Sequence, residues 1–92
     1  MTLFLLLLWE NNNGDIMKSN DNIYTLIGQN IKKYRKIKGY TQEQLASKTN
    51  LSYGYIKNLE AKGVYASISI ETLQIIAHKL EISIDKLFEN NK

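Results

Sequence analysis

After Asn22 the apolar residues of this chain recur three and four positions apart, in short runs that stop and restart. That spacing is the period of a helix with one buried stripe. Ile27, Ile31 and Tyr34 make the first stripe, with Lys32, Lys33 and Lys36 elsewhere on the surface. Gly39 is a stop signal, and Lys36 and Lys38 ahead of it suit the negative end of a helix dipole. The pattern predicts a first helix over residues 23–38.

Each later run carries its own start signal. Thr41, Gln42, Glu43 and Gln44 read as a capping box, in which Thr41 accepts the amide of Gln44 and Gln44 reaches back. Leu45 and Ala46 give this second helix a narrow apolar seam. It ends near Thr49 and Asn50, and Asn50 tolerates the left-handed conformation of a tight turn. Ser52 caps a third helix, over about residues 52–61, whose Ile56 and Leu59 point inward with Leu51. A loop over 63–67 follows. The stretch SISIE at 67–71 alternates like a strand, but five residues without a partner make a poor sheet. Ser69 is better read as the cap of a fourth helix with the apolar face Ile70, Leu73, Ile76, Ala77 and Leu80. A short fifth helix starts at Ser83, with Ile84, Leu87 and Phe88 apolar. Connections this short describe a compact all-α bundle of five helices.

Nothing but that core can hold the fold. The 92 residues include no cysteine, no proline and one histidine, His78. Disulfides, Cys-ligated zinc, iron–sulfur clusters and thiol catalysis are excluded, and so is a multi-histidine metal site. No metal or cofactor is expected. Apolar residues at 43% and charged residues at 23% are globular proportions, against disorder.

The first residues stand apart. LFLLLLW at 3–9 is seven apolar residues, far short of the about 20 that span a membrane. It lacks the basic start and small-residue cleavage site of a secretory signal. Met17 is an alternative translation start. The chain therefore reads as an extension over 1–21, disordered or not natively translated before Met17, a domain over 22–89 and a tail over 90–92. No membrane contact is expected, and the chain is placed in the cytoplasm.

Charge points to a partner. The net charge is +3, but residues 31–62 hold eight basic side chains and two acids, a local charge of +6. A basic field of this kind favours a polyanion. The second and third helices with their tight turn form a helix-turn-helix candidate. At about 100° per residue, Tyr53, Gly54, Lys57 and Asn58 fall on the side of the third helix opposite Ile56 and Leu59. A phenol, an ammonium, a carboxamide and bare backbone can read base edges in a major groove that admits one helix. With Ser52 they form the candidate base-reading set. Gly54 costs helix stability, so it marks either close backbone approach to DNA or relief of crowding between Tyr53 and Tyr55, or simple tolerance. Gln42 and Thr41 at the start of the second helix, and Tyr55, Lys62 and Tyr65 around the third, are phosphate candidates. Tyr55 either touches the sugar–phosphate chain or packs on the fourth helix. Arg35 and Glu60 are the expected internal ion pair.

Residues 27–88 resemble the DNA-binding domain of the phage repressor–Cro (XRE) family, the lambda-repressor-like helix-turn-helix. The carrying residues are Ile27 and Gly28, Ile31, Arg35, Gly39, TQEQLA at 41–46, SYGYIKNLE at 52–60 and ETLQIIA at 71–77. The resemblance implies a five-helix fold, major-groove binding by the third helix, a phosphate clamp at Gln42 and an Arg35–Glu60 pair. The chain departs from the pattern in having Asn50 where glycine is common. Its loop between Glu60 and Leu73 is about two residues longer, without the customary proline.

The resemblance implies a sequence-specific DNA-binding transcriptional regulator, a repressor working as a homodimer on a near-palindromic site of double-stranded DNA. Ile84, Leu87 and Phe88 are the expected dimer surface. Two rivals use the same residues: an antitoxin with a toxin partner, and a module whose basic face meets an acidic protein. No catalytic constellation is present. His78 borders an apolar face without a partner base, Asp85 and Glu89 have none either, and Tyr24, Tyr34 and Tyr40 read as core-edge aromatics.

Overall fold

A computed structural model describes residues 23–62 and 66–90. The 1–21 extension with Met17, residues 63–65 including Tyr65, and the last two residues lie outside that set. The described residues are all-α: α1 (Ile23–Lys38), α2 (Gln42–Thr49), α3 (Tyr53–Glu60), α4 (Ile70–Leu80) and a closing 3-10 helix (Ile84–Phe88). No helix among them is long and apolar enough to cross a membrane.

Local chemistry fixes the boundaries. Gly39, at φ 79°, turns the chain out of α1. Thr41 Oγ1 accepts from the Gln44 amide at 3.0 Å, and Gln44 Oε1 accepts from the Thr41 amide at 2.8 Å, so the capping box is complete. Asn50 ends α2 at φ 62°, and its amide reaches back to Ala46 and Ser47. Ser52 caps α3 and Ser69 caps α4 through the amides of Tyr55 and Thr72. The 68–71 stretch therefore opens a helix and not a strand.

Three expectations need correction. The fifth helix is a single 3-10 turn of five residues, too short for the i-to-i+4 bonding of an α-helix to propagate. Ile70 does not face the core: it is 69% exposed, because the first residue of α4 projects beyond its neighbours. Leu87 is fully buried and cannot belong to a dimer surface, whereas Phe88 beside it is 41% exposed.

Ile31, Leu45, Ile56, Ile76, Leu80 and Leu87 form the fully buried centre. α1 packs on α3, on the 3-10 helix and on α4, while α2 packs on α3 and α4. At Gly28 the backbones of α1 and α3 nearly touch: a Cβ there would lie 1.8 Å from the Leu59 carbonyl oxygen. Buried Asn30 donates its side-chain amide to the carbonyls of Leu87 and Glu89, each at 2.9 Å. That bond pair ties the closing turn to α1.

Candidate nucleic-acid interface

α3 has an inner and an outer side. Ile56 and Leu59 are 0% and 6% exposed and anchor the helix from behind. Ser52, Tyr53, Gly54, Lys57 and Asn58 are all exposed. Lys57 Nζ lies 5.3 Å from the centroid of the Tyr53 ring, one helical turn away. This cation–π contact holds both side chains on the outer face. The Asn58 side chain makes no hydrogen bond with the described residues, so its amide is free for an outside partner. A Cβ built on Gly54 meets nothing within 4 Å.

The rear mount is polar as well as apolar. Glu60, the last residue of α3, receives Arg35 Nε at 2.7 Å and Arg35 Nη2 at 2.8 Å on its two oxygens. Both side chains are nearly buried. Arg35 also donates to the Tyr40 carbonyl at 2.8 Å, in the turn before α2. Gln42 Nε2 donates to Glu60 Oε1 at 3.0 Å, and Gln29 Nε2 to the Glu60 carbonyl at 3.1 Å. One residue thus joins α1, α2 and α3. A bidentate pair fixes orientation as well as distance, so α3 is held against rotation about its own axis.

The phosphate candidates divide. Thr41 stands exposed at the start of α2, its oxygen capping the helix. Gln42 is half-buried, and its amide is turned partly inward to Glu60, which the sequence did not foresee. An amide carries two N–H donors, and this contact uses one. Lys62 is exposed in the turn after α3. Tyr65 lies outside the described residues. Tyr55 donates its hydroxyl to the Ser67 carbonyl at 2.7 Å, so it packs against the segment leading into α4. Burial raises its phenol pKa above the ordinary value. Its hydroxyl proton is committed inside the protein, and the alternative of packing is the one observed.

The cations are distributed unevenly. Lys33, Lys38 and Arg35 have carboxylate partners in Glu89, Glu81 and Glu60. Lys32, Lys36, Lys48, Lys57 and Lys62 have none among the described residues. Lys48 instead sits 5.0 Å from the centroid of the Tyr40 ring, a contact no local pattern announced. No group of three His, Cys, Asp or Glu side chains among the described residues is placed to hold a metal ion. His78 is exposed on α4.

Comparison with known proteins gives one consistent picture. A family model described as helix-turn-helix matches residues 31–87. The HTH-type transcriptional regulator SlrR of Bacillus subtilis is 36% identical over 64 residues, covering 70% of this chain and 41% of that protein. Control protein C.SmaI of Serratia marcescens is 35% identical over 65 residues, covering 71% of this chain and 75% of its own length. Among solved structures, SinR, the master regulator for biofilm formation, in complex with DNA, superposes with a TM-score of 0.63 at 35% identity. The match covers 68% of this chain and 98% of that one. This chain spans about half the length of the Bacillus subtilis regulators that it matches, 41% of SlrR and 57% of SinR.

Proposed function

The chain belongs to the helix-turn-helix family of the phage repressor–Cro (XRE) type, and from that premise we propose that it is a sequence-specific DNA-binding transcriptional regulator acting as a repressor. The observation that carries this reading is the outer face of α3, where Tyr53, Gly54, Lys57 and Asn58 are exposed on a helix locked from behind by Ile56, Leu59 and Glu60. An α-helix is about 10–12 Å across with its side chains, and the B-DNA major groove, about 12 Å wide, admits one.

In this reading Ser52, Tyr53, Lys57 and Asn58 read bases, and Gly54 lets the backbone approach them. Thr41, the second amide hydrogen of Gln42, Lys62 and Tyr65 hold phosphates and set the register. Two copies place their α3 helices in successive major grooves about 34 Å apart on a near-palindromic operator. The protein acts in the cytoplasm at the nucleoid, without a cofactor and without catalysis.

Gel-shift titration against genomic fragments tests the reading. A few fragments should bind tightly, with affinity falling steeply as salt rises, because phosphate contacts release counterions. Asn58→Ala should relax preference at one base position, while Gln42→Ala should weaken all sites alike. Equal binding to every fragment would refute sequence-specific recognition.

A further inference from the structure

Among the described residues no element covers the outward side of α4, which carries two rows of side chains, each spaced four residues apart. Glu71, Ile75 and Lys79 form one row, and Ile70, Gln74 and His78 form the next. All six are exposed. Ile70 leaves 69% of its surface in water and Ile75 37%. Neither Glu71 nor Lys79 has an ion-pair partner among the described residues. The first row therefore runs acid, apolar, base, with its two charges at equal distances from Ile75.

That order is complementary to itself. Turned antiparallel, a second row of the same kind brings Lys79 onto Glu71 and Glu71 onto Lys79, with the two Ile75 side chains meeting at the centre. Self-complementarity of one patch about a two-fold axis is what an isologous dimer contact requires. Rows of this i±4 type are also the ridges by which helices interdigitate.

We propose that the outward face of α4 is the self-association surface of this protein. Two copies cross their α4 helices antiparallel at Ile75, with reciprocal Glu71–Lys79 ion pairs and Ile70 completing the apolar contact. The proposal rests on the homodimer reading above and deepens it by naming the surface, in place of buried Leu87. α4 packs chiefly on α1, α2 and the 3-10 helix, so pairing through its outer side leaves α3 free. The contact is small. Eleven residues span about 16 Å, and six side chains cover less than the roughly 800 Å² per partner of a standard interface. Association in solution is therefore weak, and a DNA carrying two half-sites holds the pair together by raising the effective concentration.

Charge exchange in the full chain tests this, read by sedimentation equilibrium up to about 1 mM and by titration of DNA with one or two half-sites. Glu71→Lys alone and Lys79→Glu alone should each weaken self-association by about tenfold or more, because each creates two like-charge contacts per dimer. The two together should restore it to within about threefold. Ile75→Asp, which sets two carboxylates at the centre, should abolish it. On DNA, the single variants should bind one half-site like the wild type and lose only the cooperative gain on two. Thermal melts by circular dichroism separate lost association from lost folding. A wild-type chain that stays monomeric, single variants without effect, or a double variant no better than the singles would each overturn the proposal. Normal one-half-site binding with a failed exchange pattern removes the interface alone. A successful exchange pattern in a chain that binds no DNA removes the regulator reading and leaves the interface standing.

Discussion

Two glycines inside helices of this protein offer the same substitution with opposite expected outcomes. Glycine in a helix interior costs about 1 kcal/mol relative to alanine. At Gly54 an added Cβ meets nothing within 4 Å beyond its two chain neighbours and its own helix backbone, so no packed neighbour offsets that gain. Gly54→Ala should stabilise the free protein by about 1 kcal/mol, a rise in Tm of about 4–8 °C for a domain of this size. At Gly28 the same Cβ would sit 1.8 Å from the Leu59 carbonyl oxygen, a backbone atom that cannot rotate away. α1 and α3 would have to separate by more than 1 Å, which also disturbs Glu60 and its partners. Overpacking of this kind costs about 1–3 kcal/mol or more, so Gly28→Ala should lower Tm by about 10 °C or more. Differential scanning calorimetry measures both. DNA titration then separates the two meanings of Gly54. If the α3 backbone approaches the bases there, Gly54→Ala weakens operator binding by about tenfold while the protein itself becomes more stable. Unchanged affinity would show that the glycine is merely tolerated. A fall in Tm for Gly54→Ala would refute the claim that this side of α3 is open.

Other perturbations test the mount behind α3 and the closing turn. Glu60→Ala leaves Arg35 buried without its carboxylate and should cost about 3–5 kcal/mol in urea unfolding; a loss under 1 kcal/mol would mean that the pair does not hold the three helices. Asn30→Ala strips the buried Leu87 carbonyl and the part-buried Glu89 carbonyl of their donor and should cost about 1–3 kcal/mol, with the amide-exchange protection of the 3-10 helix lost first. Glu81, bonded to Lys38, and Glu89, bonded to the Tyr34 hydroxyl, both have carboxyl pKa values below the ordinary 4.5. Their stabilisation is present above that pH and is lost as pH falls through the lowered values, so Tm should drop in acid and the drop should shrink in Glu89→Gln. The same hydrogen bond to Glu89 raises the Tyr34 phenol above 10.0, so Tyr34, like buried Tyr55, should ionise late in an alkaline ultraviolet titration, and in Glu89→Gln only the Tyr34 step should return toward the ordinary value.

The helices and their ends were legible because the signals are local. Thr41, Ser52 and Ser69 each bond an amide three residues ahead, and Asn50 takes a backbone conformation that its own short side chain tolerates. One end was not legible. Glu81 closes α4 at φ 59° where no glycine or asparagine announces it, held by its amide to Ala77 and His78 and by its side chain on Lys38. Periodicity also found the outer face of α3, because a helix anchored by Ile56 and Leu59 must turn the residues between them outward.

What the chain alone determined, then, is the order of helices, their caps and the polar side of α3, all set by bonds and spacings within a few residues. Tertiary structure decided what covers each apolar side and what pairs with each polar group. Periodicity put Ile70 on the inner face of α4, yet it stands 69% exposed; Leu87 and Phe88 are adjacent and equally apolar, and only packing against α1 chose Leu87. Gln29 and Asn30 bond partners 31, 57 and 59 residues away, and Gln42 reaches Glu60 across 18. Such contacts exist only after the helices have docked, because burial is a relation between elements and no element carries it by itself.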